Sequence, residues 1–102
     1  GILISCVDYS DHYSHNDINL SSLNFLRYTV PVWSIFNPPN HYQNRIRHID
    51  FMKILQNHGF VSDNINLIKK DQLDIQPSNL YKGYKIEDLI VTRSQITSFN
   101  NI

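Results

Sequence analysis

The sequence predicts a small α/β domain, on three observations. The chain opens with an almost unbroken apolar run, Ile2–Val7. A short amphipathic segment, Ile49–His58, is closed by Gly59 and Phe60. Two β-like stretches follow, Phe60–Lys69 and Tyr84–Ile96, with a polar connection between them. The expected order is strand, long insertion, helix, strand, loop, strand.

Each element has its own justification. Ile2-Leu3-Ile4-Ser5-Cys6-Val7 lacks the alternation of a half-exposed strand and reads as one covered on both faces. Too little chain follows to flank such a strand, so the expectation is a piece of a larger domain. Asp8 to Asn19 is polar and aromatic, and Leu20–Tyr28 has the spacing of a short helix capped by Asn19 or Ser21. Pro31, then Pro38-Pro39 between Asn37 and Asn40, break the chain into a loop reaching Tyr42, with one helical turn around Trp33–Phe36. A segment of that length is typical of lids and binding loops.

In Ile49–His58, Phe51, Met52 and Leu55 share one side. Asp50 and His58 suit the two ends of the helix dipole, and Gly59 stands where a left-handed residue ends a helix. Phe60–Lys69 is a strand with Asn64 and Asn66 facing solvent, Asp71–Lys82 is a connection holding Pro77, and Tyr84–Ile96 is a strand strongest at Leu89–Thr92.

Composition removes several function classes. The 102 residues carry nine Lys and Arg against nine Asp and Glu. The first 51 residues hold three basic and four acidic residues, the rest six and five. That balance argues against nucleic-acid binding through bulk positive charge and against a polybasic membrane anchor. No apolar run approaches the length of a membrane span, and no signal peptide is visible. The single cysteine, Cys6, excludes an internal disulfide framework and a Cys-based zinc site; lying in an apolar strand, it reads as inert packing. The expected setting is reducing and cytoplasmic, with no nucleic-acid or membrane partner.

The sequence resembles the late part of class I S-adenosylmethionine-dependent methyltransferases. The glycine-led strand Gly1-Ile2-Leu3-Ile4 runs into Asp8-Tyr9-Ser10-Asp11-His12-Tyr13-Ser14-His15. It is similar to the family's fifth strand and to the Asp-x-Ser-Asp-His-aromatic stretch that follows it in some members. Asn24-Phe25-Leu26-Arg27-Tyr28 and Tyr42-Gln43-Asn44-Arg45-Ile46-Arg47 add to the resemblance. His58-Gly59-Phe60 resembles the helix–Gly–Phe–strand step into the family's final antiparallel pair. The matches spread from Gly1 to about Ile68 and thin out in the last third.

The resemblance implies the C-terminal portion of a Rossmann-like methyltransferase sheet: buried strand, long insertion, helix, antiparallel strand pair. Residues 1–102 would form a single partial domain at the substrate-side end. It implies methyl transfer to a small molecule with S-adenosylmethionine as cofactor. The family's cofactor cradle is a glycine-rich turn after the first strand, with acidic residues nearby. Here the only glycines are Gly1, Gly59 and Gly83, too dispersed for such a turn. No cofactor-binding residue is expected in this chain, which alone is expected to be inactive.

In open α/β sheets ligands sit beyond the carboxyl ends of strands. Asp8, Asp11, His12 and His15 fall just past such an end. Imidazole titrates near neutral pH, which suits His12 first and His15 second as catalytic proton acceptors. Asp8 and Asp11 join them as substrate-binding candidates, although loop Asp and His side chains also cap turns. The same four residues make a weak metal-ligand set, since His12-x-x-His15 needs a helix or tight turn and no Cys supports it. Arg27, Arg45 and Arg47 offer planar forks for an acidic substrate group or salt bridges to Asp50, Asp11 or Asp17. Tyr28, also a substrate-binding candidate, forms with Trp33, Phe36 and Tyr42 an aromatic loop that either closes over a pocket or buries the insertion. The alternative to an enzyme fragment is a non-catalytic α/β binding or assembly module. In either case the apolar residues 2–7 make self-association through an unpaired strand edge an expectation.

Overall fold

A computed structural model describes residues 1–39 and 43–100. Expectations that fall on Asn40 and Tyr42 lie outside the described residues. The elements are β1 (Ile2–Asp8), α1 (Val30–Phe36), α2 (His48–Asn57), β2 (Phe60–Lys69), α3 (Ile86–Leu89) and β3 (Val91–Asn100). Short 3-10 helices at His12–His15, Asn24–Arg27 and Asn79–Tyr81 punctuate the connections. The strands form one antiparallel sheet in the order β1-β3-β2. The chain is thus a small α/β domain, with its last strand in the middle.

Because β1 and β2 both run antiparallel to β3, they run in the same direction. Their carboxyl ends, at Asp8 and Lys69, therefore emerge at one end of the sheet. The long segments that follow each strand meet there. Ser78 N–H donates to the Leu26 carbonyl at 2.8 Å, and Ser21 Oγ donates to Asp74 at 2.6 Å. The core lies at this end. Leu23, Phe25, Leu26, Trp33, Tyr81 and Leu89 form one buried cluster, edged by Tyr28, Leu73, Ile75, Tyr84 and Ile90.

The helix–Gly–Phe step folds as its residues dictate. Leu55 is buried, and Phe51 and Met52 are half-buried on the same side of α2, which lies against β2 and β3. The Asp50 carboxylate accepts the Arg47 backbone N–H at 3.1 Å, satisfying a donor at the helix start. Gly59 has φ of +82°, the left-handed turn that ends the helix and sends Phe60 into β2.

Five expectations need correction. The opening strand is not covered on both faces: β1 is an edge strand, and Ile2 and Ile4 are 69% and 63% exposed. Its neighbour is β3 alone, and α2 lies over the other side of the sheet. Cys6 shares this bare face and is exposed rather than packed. Pro31 starts a helix instead of ending one, since it occupies the first turn of α1, where its missing N–H costs nothing. The last strand begins at Val91, because Lys85–Leu89 forms a helical turn with Glu87 and Asp88 at its positive end. The helix expected over Leu20–Tyr28 contracts to Asn24–Arg27, after a turn in which Ser21 Oγ accepts the Leu23 N–H at 3.1 Å. Asn64 and Asn66 face solvent as read.

Candidate functional site

Past the end of β1 the chain turns on its own carboxylates. Asp8 Oδ1 accepts both the Ser10 N–H (2.9 Å) and the Ser10 hydroxyl. His15 Nε2 lies 3.2 Å from Ser10 Oγ and 3.9 Å from Asp8 Oδ2. Burial pushes the Asp8 carboxyl up, but the two Ser10 hydrogen bonds, helped by Arg93 and His15, outweigh it and hold it below its ordinary range. Asp11 caps the 3-10 helix that carries His12 and His15, accepting the Tyr13 N–H at 2.9 Å. That helix supplies the tight turn the His12-x-x-His15 spacing needs, and the two rings stand 5.3 Å apart. Among the described residues no group of three His, Cys, Asp or Glu side chains is placed to hold a metal ion.

Asp11 itself is fully enclosed, and its Oδ2 has no well-formed hydrogen bond. Burial pushes its carboxyl up; the Tyr13 N–H, the Asn24 amide and the Phe25 N–H oppose this without cancelling it. Its geometry is that of a turn anchor.

The segment Gln43–Arg47 ties the loop together. The Gln43 side chain accepts the His12 N–H at 3.0 Å and donates to the Ser10 carbonyl. Arg45 Nη1 donates to the carbonyls of Phe25 (3.0 Å) and Tyr28. The Arg45 guanidinium lies 5.4 Å from the Trp33 ring and 5.8 Å from that of Tyr81. Arg47 is wholly buried and donates to three carbonyls: Tyr9, Leu89 (3.4 Å) and Arg45 (3.2 Å). Its guanidinium faces the rings of Phe25 (5.2 Å) and Tyr9 (6.0 Å). Burial brings its pKa down to about 10.

The three arginines therefore separate. Arg27 is on the surface, bound to Asn24 at 3.0 Å and set against Tyr28. Arg47 has no open face. Arg45 is half-buried in the wall of a groove of about 490 Å³. Among the described residues none of the three pairs with a carboxylate, so the expected salt bridges to Asp50, Asp11 or Asp17 are replaced by hydrogen bonds to backbone carbonyls and the Asn24 side chain.

Trp33, Asn44, Asp50, Tyr81 and Tyr84 also line this groove, as does Gln43, which joins it to the His12 loop. Of the aromatic loop's described residues only Trp33 lines the groove; Tyr28 is half-buried against the core and Phe36 is exposed. Trp33 is 7% exposed, stacked on Tyr28 at 6.4 Å and edge-on to Phe25, and it still forms one wall. Tyr84 donates to Asp50 at 2.8 Å, and its pKa is pushed up to about 12 by burial and by that carboxylate.

One buried chain has no counterpart in the sequence reading. The Tyr9 hydroxyl bridges Ser94 Oγ (2.7 Å) and His48 Nδ1 (3.1 Å). Ser94 is 85 residues from Tyr9, and no local spacing links the three. Burial lowers the His48 pKa, with Asp88 opposing and Lys69 reinforcing the shift. No helix among the described residues is long and apolar enough to cross a membrane. Comparison with family models, with curated proteins and with solved structures returns no match to this chain.

Proposed function

We propose that this chain is the substrate-side end of a class I S-adenosylmethionine-dependent methyltransferase acting on a small molecule. The observation that carries the reading is convergence. Three of the separated patches on which the resemblance rests meet in space: Arg47 holds the Tyr9 carbonyl, Gln43 holds Ser10 and His12, and Arg45 holds Phe25 and Tyr28. The fourth patch, His58-Gly59-Phe60, leads from α2 into an antiparallel pair, the step the resemblance implies.

The residues present do not fit the cofactor. A Cβ at Gly1 or Gly83 would meet nothing within 4 Å, and Gly59 is spent on ending α2. None of the three is a close backbone approach, so the cradle must come from outside these 102 residues. Within the chain, the groove beside Arg45 orients the acceptor, and the His12 imidazole takes the proton that the acceptor loses. Among the described residues no hydrogen bond engages that ring, whereas His15 is held by Ser10 and Asp8 behind it. Proton acceptance by a positioned side chain contributes about 10²–10⁴-fold.

The test joins this chain to the sequence encoded upstream of Gly1 and measures labelled methyl transfer to a small-molecule library. Transfer is expected, with His12→Gln lowering kcat by about 10²-fold or more and leaving cofactor affinity unchanged. No transfer by the joined protein, or micromolar S-adenosylmethionine binding by the 102 residues alone, would refute the reading. A second reading, a non-catalytic assembly module, draws support from the exposed Ile2 and Ile4 on the free edge of β1.

A further inference from the structure

The groove beside Arg45 has a chemical bias of its own. Arg45 spends Nη1 on two carbonyls, and among the described residues its Nε and Nη2 make no hydrogen bond. Those two N–H groups lie along one edge of a planar fork, the geometry that receives both oxygens of a carboxylate. Among the described residues the Trp33 indole N–H and the Tyr81 hydroxyl, from residues lining the same groove, also lack a hydrogen-bond partner, and neither is enclosed, since Asp11 Oδ2 is the one enclosed side-chain polar atom there without a partner. The one carboxylate in the lining, Asp50, is already occupied by the Tyr84 hydroxyl and the Arg47 N–H. The lining is thus rich in unused donors, and its acceptor is engaged.

We propose that this groove binds a small monocarboxylate, its two oxygens along the Nε–Nη2 edge of Arg45. Charge and size set the class. A single guanidinium in the lining matches one negative charge, which suits a monoanion over a phosphate dianion. A volume of about 490 Å³ accommodates a substituted aromatic acid and no polymer. The inference rests on the methyl-transfer reading only in taking this ligand as the acceptor; the binding itself requires no cofactor.

Trp33 is the sole tryptophan, so its indole resonance and its fluorescence report on the groove without labelling. The titration uses benzoate and, separately, inorganic phosphate against the 102-residue chain. Benzoate is expected to saturate with Kd of about 1 mM, phosphate to bind at least about tenfold more weakly. Arg45→Lys keeps the charge, removes the fork, and should weaken benzoate by about tenfold. Because Arg45 also anchors two carbonyls, Asn44→Asp provides a variant that spares the fold. Asn44 Oδ1 accepts the Ile46 N–H at 2.9 Å, a role Asp keeps, while the added charge should weaken benzoate by about threefold. Non-saturating benzoate, phosphate binding as tight as benzoate, or affinities unchanged in both variants would overturn the proposal. Failure here leaves methyl transfer standing. Benzoate binding by a chain whose joined form transfers no methyl group would instead remove the functional reading alone.

Discussion

Replacing Arg47 with methionine tests whether the irregular half of the molecule is held by one side chain. Methionine has similar length and adapts to irregular space, so the perturbation is chiefly the loss of donors. Three carbonyls, those of Tyr9, Leu89 and Arg45, lose their guanidinium partner. A buried polar group left unsatisfied costs about 1–3 kcal/mol, so the gross loss is about 3–6 kcal/mol, taking the lower half of that range. Against this, the variant no longer desolvates a cation, a burden visible in the depressed pKa of Arg47. The net is a destabilisation of about 2–3 kcal/mol, a large share of the roughly 5–15 kcal/mol expected for a domain of this length. Urea denaturation followed by circular dichroism should show a lower midpoint at an unchanged slope. Arg47→Lys, with a single ammonium in place of the fork, should fall between the two. A methionine variant as stable as the parent would refute the reasoning, because the carbonyls would then need no such partner.

Three other outcomes follow from the same geometry. The folded His48 titrates below its ordinary 6.5 because it is buried, so the unfolded chain binds more protons just under that pH. Stability should therefore fall as pH drops through 6.5 towards the folded value, and His48→Gln should flatten that slope in pH-dependent urea titrations. Gly59→Ala forces an L side chain to φ of +82° but meets only the Asn100 side chain at 4.0 Å, so the cost is backbone strain alone: about 1 kcal/mol, or roughly 4–8 °C in Tm. Ile4→Lys places a charge on the bare face of β1, 63% exposed, and should shift any dimer seen by analytical ultracentrifugation towards monomer.

Elements governed by neighbours in sequence were legible, and those governed by distant partners were not. Helix α2, its Gly59 stop and the bounds of β2 follow from local periodicity and one backbone requirement. The apolar character of β1 was equally plain, but apolar residues do not say what covers them, and here one face is open. Pro31 has two local meanings, and the fold selects helix start over chain break. Tyr84–Leu89 carries strand-like residues that a helical turn uses instead, because Tyr84 reaches Asp50 and Leu89 enters the core from that turn. In the candidate site, the cluster of Asp8, His12 and His15 was visible as a local run. Asp11 and Arg47 were also visible as residue types, but burial turns them inward to hold backbone. Nothing in the sequence ranks three arginines by exposure; only packing separates the surface Arg27, the groove-lining Arg45 and the enclosed Arg47.

The polar interior at the loop end follows from backbone accounting. Buried N–H and C=O groups must find partners, and residues 9–29 run outside any sheet ladder. A strand beside them would supply those partners from its own main chain. Here the side chains of Gln43, Arg45 and Arg47 do so, reaching the carbonyls of Ser10, Phe25, Tyr28 and Tyr9 from one short segment. Long side chains with several donors serve this purpose better than a strand where the loop must stay irregular, since each bond is placed independently of register. The arrangement also fixes where chemistry is available. Arg47 spends its donors on the fold, and Gln43 spends both ends of its amide. Arg45, needing only Nη1 for the carbonyls, lines the groove with the rest of its fork free of hydrogen bonds among the described residues. The same segment thereby ties down the loop that carries His12 and sets Arg45 in the wall of the groove.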